Sequence, residues 1–131
     1  MGTPGSTIVG VDTYPDKNEI YYTDQTHKAV YKIHGDGTGL VKLVGDLSSP
    51  HDIVLDTVNL AMYWTDMVEG AIHVASMIDG SNHKVIATGY DGIWGITMCK
   101  LFPPSNLCAR AYRTRGLRVR KRPSRSGIHS H

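Results

Sequence analysis

Apolar residues fall along the first 98 positions in short runs, and no window sustains the i, i+3, i+4, i+7 spacing of an amphipathic helix. Ile8–Asp12 and Ile53–Asp56 are brief runs rich in Val and Ile. Glu19–Thr23 and Ala61–Thr65 hold aromatic and β-branched residues, Ala29–His34 and Ala71–Met77 mostly alternate, and Leu40–Val44 and Lys84–Thr88 follow as closing runs. Each reads as a strand. Asp36-Gly37 and Asp79-Gly80 stand between the third and fourth runs of each set. There glycine accepts the positive φ that a tight hairpin demands. The pattern predicts eight or nine strands before Cys99 and no helix beyond about two turns.

The sets repeat. Val11-Asp12-Thr13 returns as Leu55-Asp56-Thr57, Tyr21-Tyr22-Thr23-Asp24 as Tyr63-Trp64-Thr65-Asp66, and Asp36-Gly37-Thr38 as Asp79-Gly80-Ser81. The offsets are 44, 42 and 43 residues, which suggests a longer first loop, Tyr14 to Asn18, against Val58 to Leu60. Four strands in a unit of about forty residues is the period of a propeller blade. Ile53-Val54-Leu55 lacks polar alternation, as a strand covered on both faces does. A blade between two others is covered in that way, whereas the strands of the rival β-sandwich would alternate more cleanly.

These residues resemble a known family. Pro50-His51-Asp52-Ile53-Val54-Leu55-Asp56, Tyr63-Trp64-Thr65-Asp66, Gly70-Ala71-Ile72 and Met77 through Ile86 look like the class B, or YWTD, repeat of the low-density lipoprotein receptor family. The first repeat departs at Tyr22, where the motif has Trp. A third unit opens at Trp94-Gly95-Ile96-Thr97-Met98, and no aromatic-Thr-Asp follows it. The resemblance implies an all-β, partial six-bladed-family propeller: two four-stranded antiparallel blades plus one strand. The units are a leader at 1–6, a first blade at 7–46, a second at 47–90, the start of a third at 91–98 and a basic, low-order tail at 99–131. It implies a non-enzymatic protein-binding or scaffolding module of an extracellular receptor-type or secreted protein, with protein ligands as partners. Further blades would lie outside this chain, and an isolated open ring is expected to associate or be degraded. The motif residues Tyr22, Thr23, Asp24, Tyr63, Trp64, Thr65 and Asp66, with the turn residues Asp36, Gly37, Asp79 and Gly80, are expected to be structural. The aromatics would fill the wedge between blades and the aspartates would accept backbone hydrogen bonds.

Charge divides the chain. All 12 acidic residues lie between Asp12 and Asp91 and only five lysines precede Cys99, so residues 1–98 carry −7 and residues 99–131 carry +9. The basic segment, with Pro103-Pro104 and eight Arg or Lys between Arg110 and Arg125, is poor in aliphatics, so little regular structure is expected there. A short helix between Leu107 and Arg115 is the exception to look for. An alternative function, binding nucleic acid or anionic glycans, would reside in this segment, but only Tyr112 is near for base stacking, and no nucleic acid partner is expected. Cys99 and Cys108 suit one disulfide in an oxidising compartment and do not make a zinc signature. No run is long enough to span a bilayer, and Met1 to Ser6 lacks the features of a signal peptide.

Seven histidines show no His-x-His or His-Glu-x-x-His spacing, and His34 and His73, in third strands, are placed on blade surfaces. Asp12, Asp56, Asp24 and Asp66 read as recurring once per repeat, which favours structural roles over a catalytic dyad. No catalytic, cofactor-binding or metal-ligating residues are assigned. A fragment of a propeller hydrolase is the remote enzymatic alternative.

Overall fold

The computed structural model describes residues 5–100, 107–113 and 118–121. Strands β1 (Ile8–Tyr14), β2 (Glu19–Asp24), β3 (Ala29–His34) and β4 (Val41–Val44) form one antiparallel sheet in that spatial order. Strands β5 (Pro50–Asp56), β6 (Ala61–Asp66), β7 (Ala71–Ser76) and β8 (Lys84–Ala87) form a second sheet of the same design. The fold is therefore all-β with two four-stranded blades. The only helical element among the described residues is one 3₁₀ turn at Pro15–Lys17.

The blades pack face to face through side chains the sequence supplies at alternate positions. Tyr21, Val30 and Val44 of the first blade, with Leu47 of the connection after β4, meet Ile53, Met62, Trp64, Ala75 and Met77 of the second in one core. On the far face of the second blade, Tyr63, Ile72 and Ala87 pack against Ile93 and Ile96 of β9 (Ile93–Lys100). Adjacent residues such as Tyr21 and Tyr22 thus serve opposite faces, because strand side chains alternate. Gly10 lets β1 approach β5: a Cβ there would collide with the carbonyl of His51.

Register corrects the first of the three sequence equivalences. Asp12 pairs with Tyr21 and Val54 pairs with Tyr63, so Asp12 corresponds to Val54 and Tyr14 to Asp56. The recurrence of Asp12 as Asp56 is a coincidence of sequence. The turns that follow have the same length, since Tyr14 faces Glu19 and Asp56 faces Ala61. Both turns end on a left-handed residue, Asn18 at φ 52° and Leu60 at φ 55°. Hairpin length fixes register, and a shift of one position would exchange the two faces of the strand.

The true length difference lies later. Gly35 N–H donates to the Asn18 carbonyl and Met77 N–H to the Leu60 carbonyl, which makes Gly35 and Met77 equivalent. Asp36 accepts from Thr38 N–H and Asp79 from Ser81 N–H, which makes those aspartates equivalent. Ile78 is therefore the one extra residue of the second repeat.

Leu107–Arg113 forms β10, pairing antiparallel with β9, and Arg118–Lys121 forms β11 beyond it. Over Leu107–Arg113 the element is a strand and not a short helix, because the edge of β9 offers a row of backbone groups for the next segment to satisfy. Cys108 is the register partner of Cys99.

Candidate functional site

The aromatic-Thr-Asp motif ends the second strand of each blade, and its polar atoms face inward. Asp66 is fully buried. Its Oδ1 accepts from Val68 N–H (3.1 Å) and Glu69 N–H (3.0 Å), and its Oδ2 from Ser48 N–H (3.2 Å) and Ser49 N–H (2.8 Å). Asp24 does the same one blade earlier, accepting from Thr26, His27 and Thr7 N–H groups and from the His27 ring. Each carboxylate ties the turn after its strand to the chain entering the blade. Burial raises the pKa of Asp24, but the bonds from the His27 backbone, the Ser6 side chain, the His27 ring and the Thr7 backbone outweigh it and hold the group at about 2.

The threonines connect strands and blades. Thr23 Oγ1 accepts from Gly10 N–H (3.0 Å) and donates to the His51 carbonyl of the next blade. Thr65 Oγ1 accepts from Asp52 N–H at 3.2 Å. Asp12, although not the counterpart of Asp56, also crosses between blades by accepting from Leu55 N–H at 2.9 Å. Asp56 instead organises its own turn, accepting from the backbone of Val58 and Asn59 and from the Asn59 side chain. Asp36 and Asp79 form exposed turns in which hydrogen bonds from Thr38 and Ser81 lower their pKa values. The glycine after each, Gly37 and Gly80, holds positive φ.

Trp64 lies in the inter-blade core and Tyr22 in the corresponding place of the first blade, stacked on Tyr31 at 5.4 Å. Among the described residues, neither the Tyr22 hydroxyl nor the Trp64 indole N–H has a hydrogen-bond partner. Burial first, then Asp24 and Tyr31, raises the pKa of Tyr22. Burial and Asp56 bring Tyr63 to about 12.

Sequence reasoning missed one constellation. The sequence pattern puts His73 on a blade surface, but it is buried, stacked on Trp64 at 5.2 Å with planes 15° apart, and its ring contacts His83. Its Nε2 lies 2.7 Å from Glu69 Oε1 and its Nδ1 lies 2.7 Å from His83 Nε2. The cause is register: His73 faces Trp64 across the ladder, and both ring nitrogens find partners there. Burial first, then His73, lowers the pKa of His83, and Glu69 opposes them. Spacing gave no signal, because Trp64, Glu69, His73 and His83 meet through turn and register.

Asp66, Glu69 and His73 offer ligand atoms within 4.8 Å of one another. They do not fit a metal ion well. Backbone donors already fill the four acceptor positions of the Asp66 carboxylate, and Glu69 and His83 engage both His73 nitrogens. The cluster acts as a hydrogen-bonded chain that runs from the exposed Glu69 through the buried His73, stacked on Trp64, to the exposed His83.

No family model matches the chain. It is 32% identical over 79 residues to Nidogen of Drosophila melanogaster, covering 60% of this chain and 6% of that protein. It is 27% identical over 84 residues to Low-density lipoprotein receptor-related protein 8 of Gallus gallus, covering 60% and 9%. It is 30% identical over 79 residues to Low-density lipoprotein receptor-related protein 5 of Mus musculus, covering 58% and 5%. The matches thus span less than a tenth of each relative. Among solved structures, a nidogen/laminin complex aligns with TM-score 0.71 at 23% identity, over 89% of this chain and 48% of that one. A streptogramin B lyase aligns with TM-score 0.63 at 12% identity, over 97% and 44%. The periplasmic gluconolactonase PpgL of Pseudomonas aeruginosa aligns with TM-score 0.62 at 13% identity, over 95% and 39%. At these identities the structural likenesses speak for the propeller fold alone. The sequence likenesses and the paired aromatic-Thr-Asp blades support the reading of the chain as a β-propeller segment built of repeats similar to the class B, or YWTD, repeats of the low-density lipoprotein receptor family.

Proposed function

We propose that the chain acts as a non-enzymatic protein-binding module on the extracellular side, contributing blades to a larger propeller. One observation carries this reading. The buried threonine hydroxyls and aspartate carboxylates of the repeated motif are engaged inside and between the blades, as the four backbone bonds to Asp66 and the three on Asp24 illustrate. The chemistry left for a partner lies in exposed loops, where protein ligands are met. The motif residues Tyr22, Thr23, Asp24, Tyr63, Trp64, Thr65 and Asp66 are, in this reading, the frame that holds those loops and do not touch the ligand. The nidogen structure is a complex with laminin, which makes an extracellular protein the natural class of ligand to try first. No helix among the described residues is long and apolar enough to cross a membrane.

The test immobilises the full chain and measures binding to laminin and to a set of receptor and matrix ectodomains. Heparin and duplex DNA serve as comparison ligands, and a panel of lactones and esters reports turnover. Saturable binding to a protein at physiological salt, lost on heating, is the expected result. Binding to polyanions alone, with a steep salt dependence, would move the function to residues 99–131. Turnover of any lactone or ester would overturn the non-enzymatic reading.

A further inference from the structure

Two clefts, of about 390 and 400 Å³, open side by side at the blade end that carries the β1–β2 and β5–β6 turns. Leu60 and Ile78 line both, forming a ridge between them. Each cleft has the size of a small binding site. The ridge residues break the rules that place residues in a fold. Leu60 takes left-handed φ at 55°, a conformation that asparagine tolerates and a bulky side chain does not favour. The first repeat has Asn18 at this point. Leu60 also remains 36% exposed, so burial does not compensate. Ile78 is the extra residue of the second repeat and is 61% exposed. Neither backbone preference nor packing accounts for two branched aliphatics here, and such local conflicts mark functional surfaces.

The charge of the clefts runs against that of their surroundings. Residues 1–98 carry −7, yet three of their five lysines, Lys17, Lys32 and Lys84, line these two clefts. Glu19 is the one carboxylate among the lining residues, and it lies 3.8 Å from the Lys32 ammonium. Lys32 also donates to the Ile78 carbonyl at 3.2 Å, which fixes the ridge to the first blade.

We propose that this inter-blade ridge is the docking surface for an acidic polypeptide segment bearing apolar side chains. The apolar side chains enter the clefts on either side of Leu60 and Ile78, and the carboxylates meet Lys17 and Lys84. This rests on the protein-binding reading above and names the ligand chemistry and the place. Cationic rims around apolar anchors select partners by charge and speed their encounter.

The experiment uses the full chain and two fluorescein-labelled synthetic peptides, one alternating glutamate with leucine and the other alternating lysine with leucine. Fluorescence anisotropy reads binding. The acidic peptide is expected to bind saturably and more weakly as salt rises. The lysine peptide should not bind. Leu60→Asn and Ile78→Ser should each weaken binding by about tenfold or more, as loss of a central anchor does, and Lys84→Glu should weaken it further as salt falls. Leu60→Asn installs the residue of the first repeat, so it should melt no lower than the parent, which separates a lost surface from a lost fold. Equal binding of both peptides, unchanged binding by Leu60→Asn and Ile78→Ser, or no binding of the acidic peptide would overturn the proposal. If the acidic peptide fails while a whole ectodomain binds, only this surface falls. If no protein binds at all, the protein-binding reading falls with it.

Discussion

Replacing Asp66 with asparagine tests whether the motif carboxylate is the hub of its blade. The carboxylate accepts four backbone N–H groups, two on each oxygen. Asparagine keeps one carbonyl oxygen, so one pair of donors retains a neutral acceptor. The other pair then faces an amide NH₂, donor against donor. A net hydrogen bond to a charged acceptor is worth about 1.5–3 kcal/mol and a neutral one about 1, while each buried donor left without a partner costs about 1–3 kcal/mol. The sum, reduced for relaxation of the turn, is roughly 3–4 kcal/mol. For a domain of this size that lowers the melting temperature by about 12–25 °C. The assay is thermal and urea melting followed by circular dichroism. All variants are compared at one protein concentration, so that any association affects them alike. Asp24→Asn should behave similarly. Asp36→Asn, on an exposed turn, should shift the melt far less than Asp66→Asn does. If Asp66→Asn melts within about 2 °C of the parent, or Asp36→Asn costs as much, the carboxylate is not the hub described.

Tyr22→Phe removes a buried hydroxyl that has no partner among the described residues, so stability should be unchanged or rise by up to about 1 kcal/mol; a loss above about 1 kcal/mol in urea melts would show a partner elsewhere in the chain. Gly10→Ala should destabilise by about 1–3 kcal/mol because its methyl meets the backbone of His51 and Asp52, whereas Gly5→Ala, with open space around it, should escape that clash. His83 has a folded pKa below its unfolded value near 6.5, so the unfolded chain binds the proton more readily. Stability should therefore be full above pH 6.5 and fall as pH drops below it, a slope that His83→Gln should flatten in pH-dependent melts. Asp24, held at about 2, contributes stability that is complete above its unfolded pKa near 4 and is lost as pH falls from about 4 to 2. Asp24→Asn should remove that acid limb.

The sequence by itself determined the strands, the hairpin turns and the blade period, because these are local. Alternation places Tyr21 and Tyr22 on opposite faces, and Asp-Gly sets the turns at Gly37 and Gly80 whatever lies around them. It did not determine which residues correspond between repeats. Asp12 and Asp56 look alike in the chain, yet hairpin register places them two positions apart, and only pairing across a ladder reveals register. The same limit hid His73, whose burial comes from facing Trp64 on the next strand and from Glu69 and His83 arriving from separate turns. It hid the ridge as well. Leu60 and Ile78 read as ordinary apolar residues until the backbone bond from Met77 N–H to the Leu60 carbonyl and the side-chain bond from the Lys32 ammonium to the Ile78 carbonyl show one to be a leucine in a left-handed turn and the other an insertion held against the neighbouring blade. Local rules act over a few residues. The placement of these side chains depends on contacts between blades, which only the tertiary structure brings together.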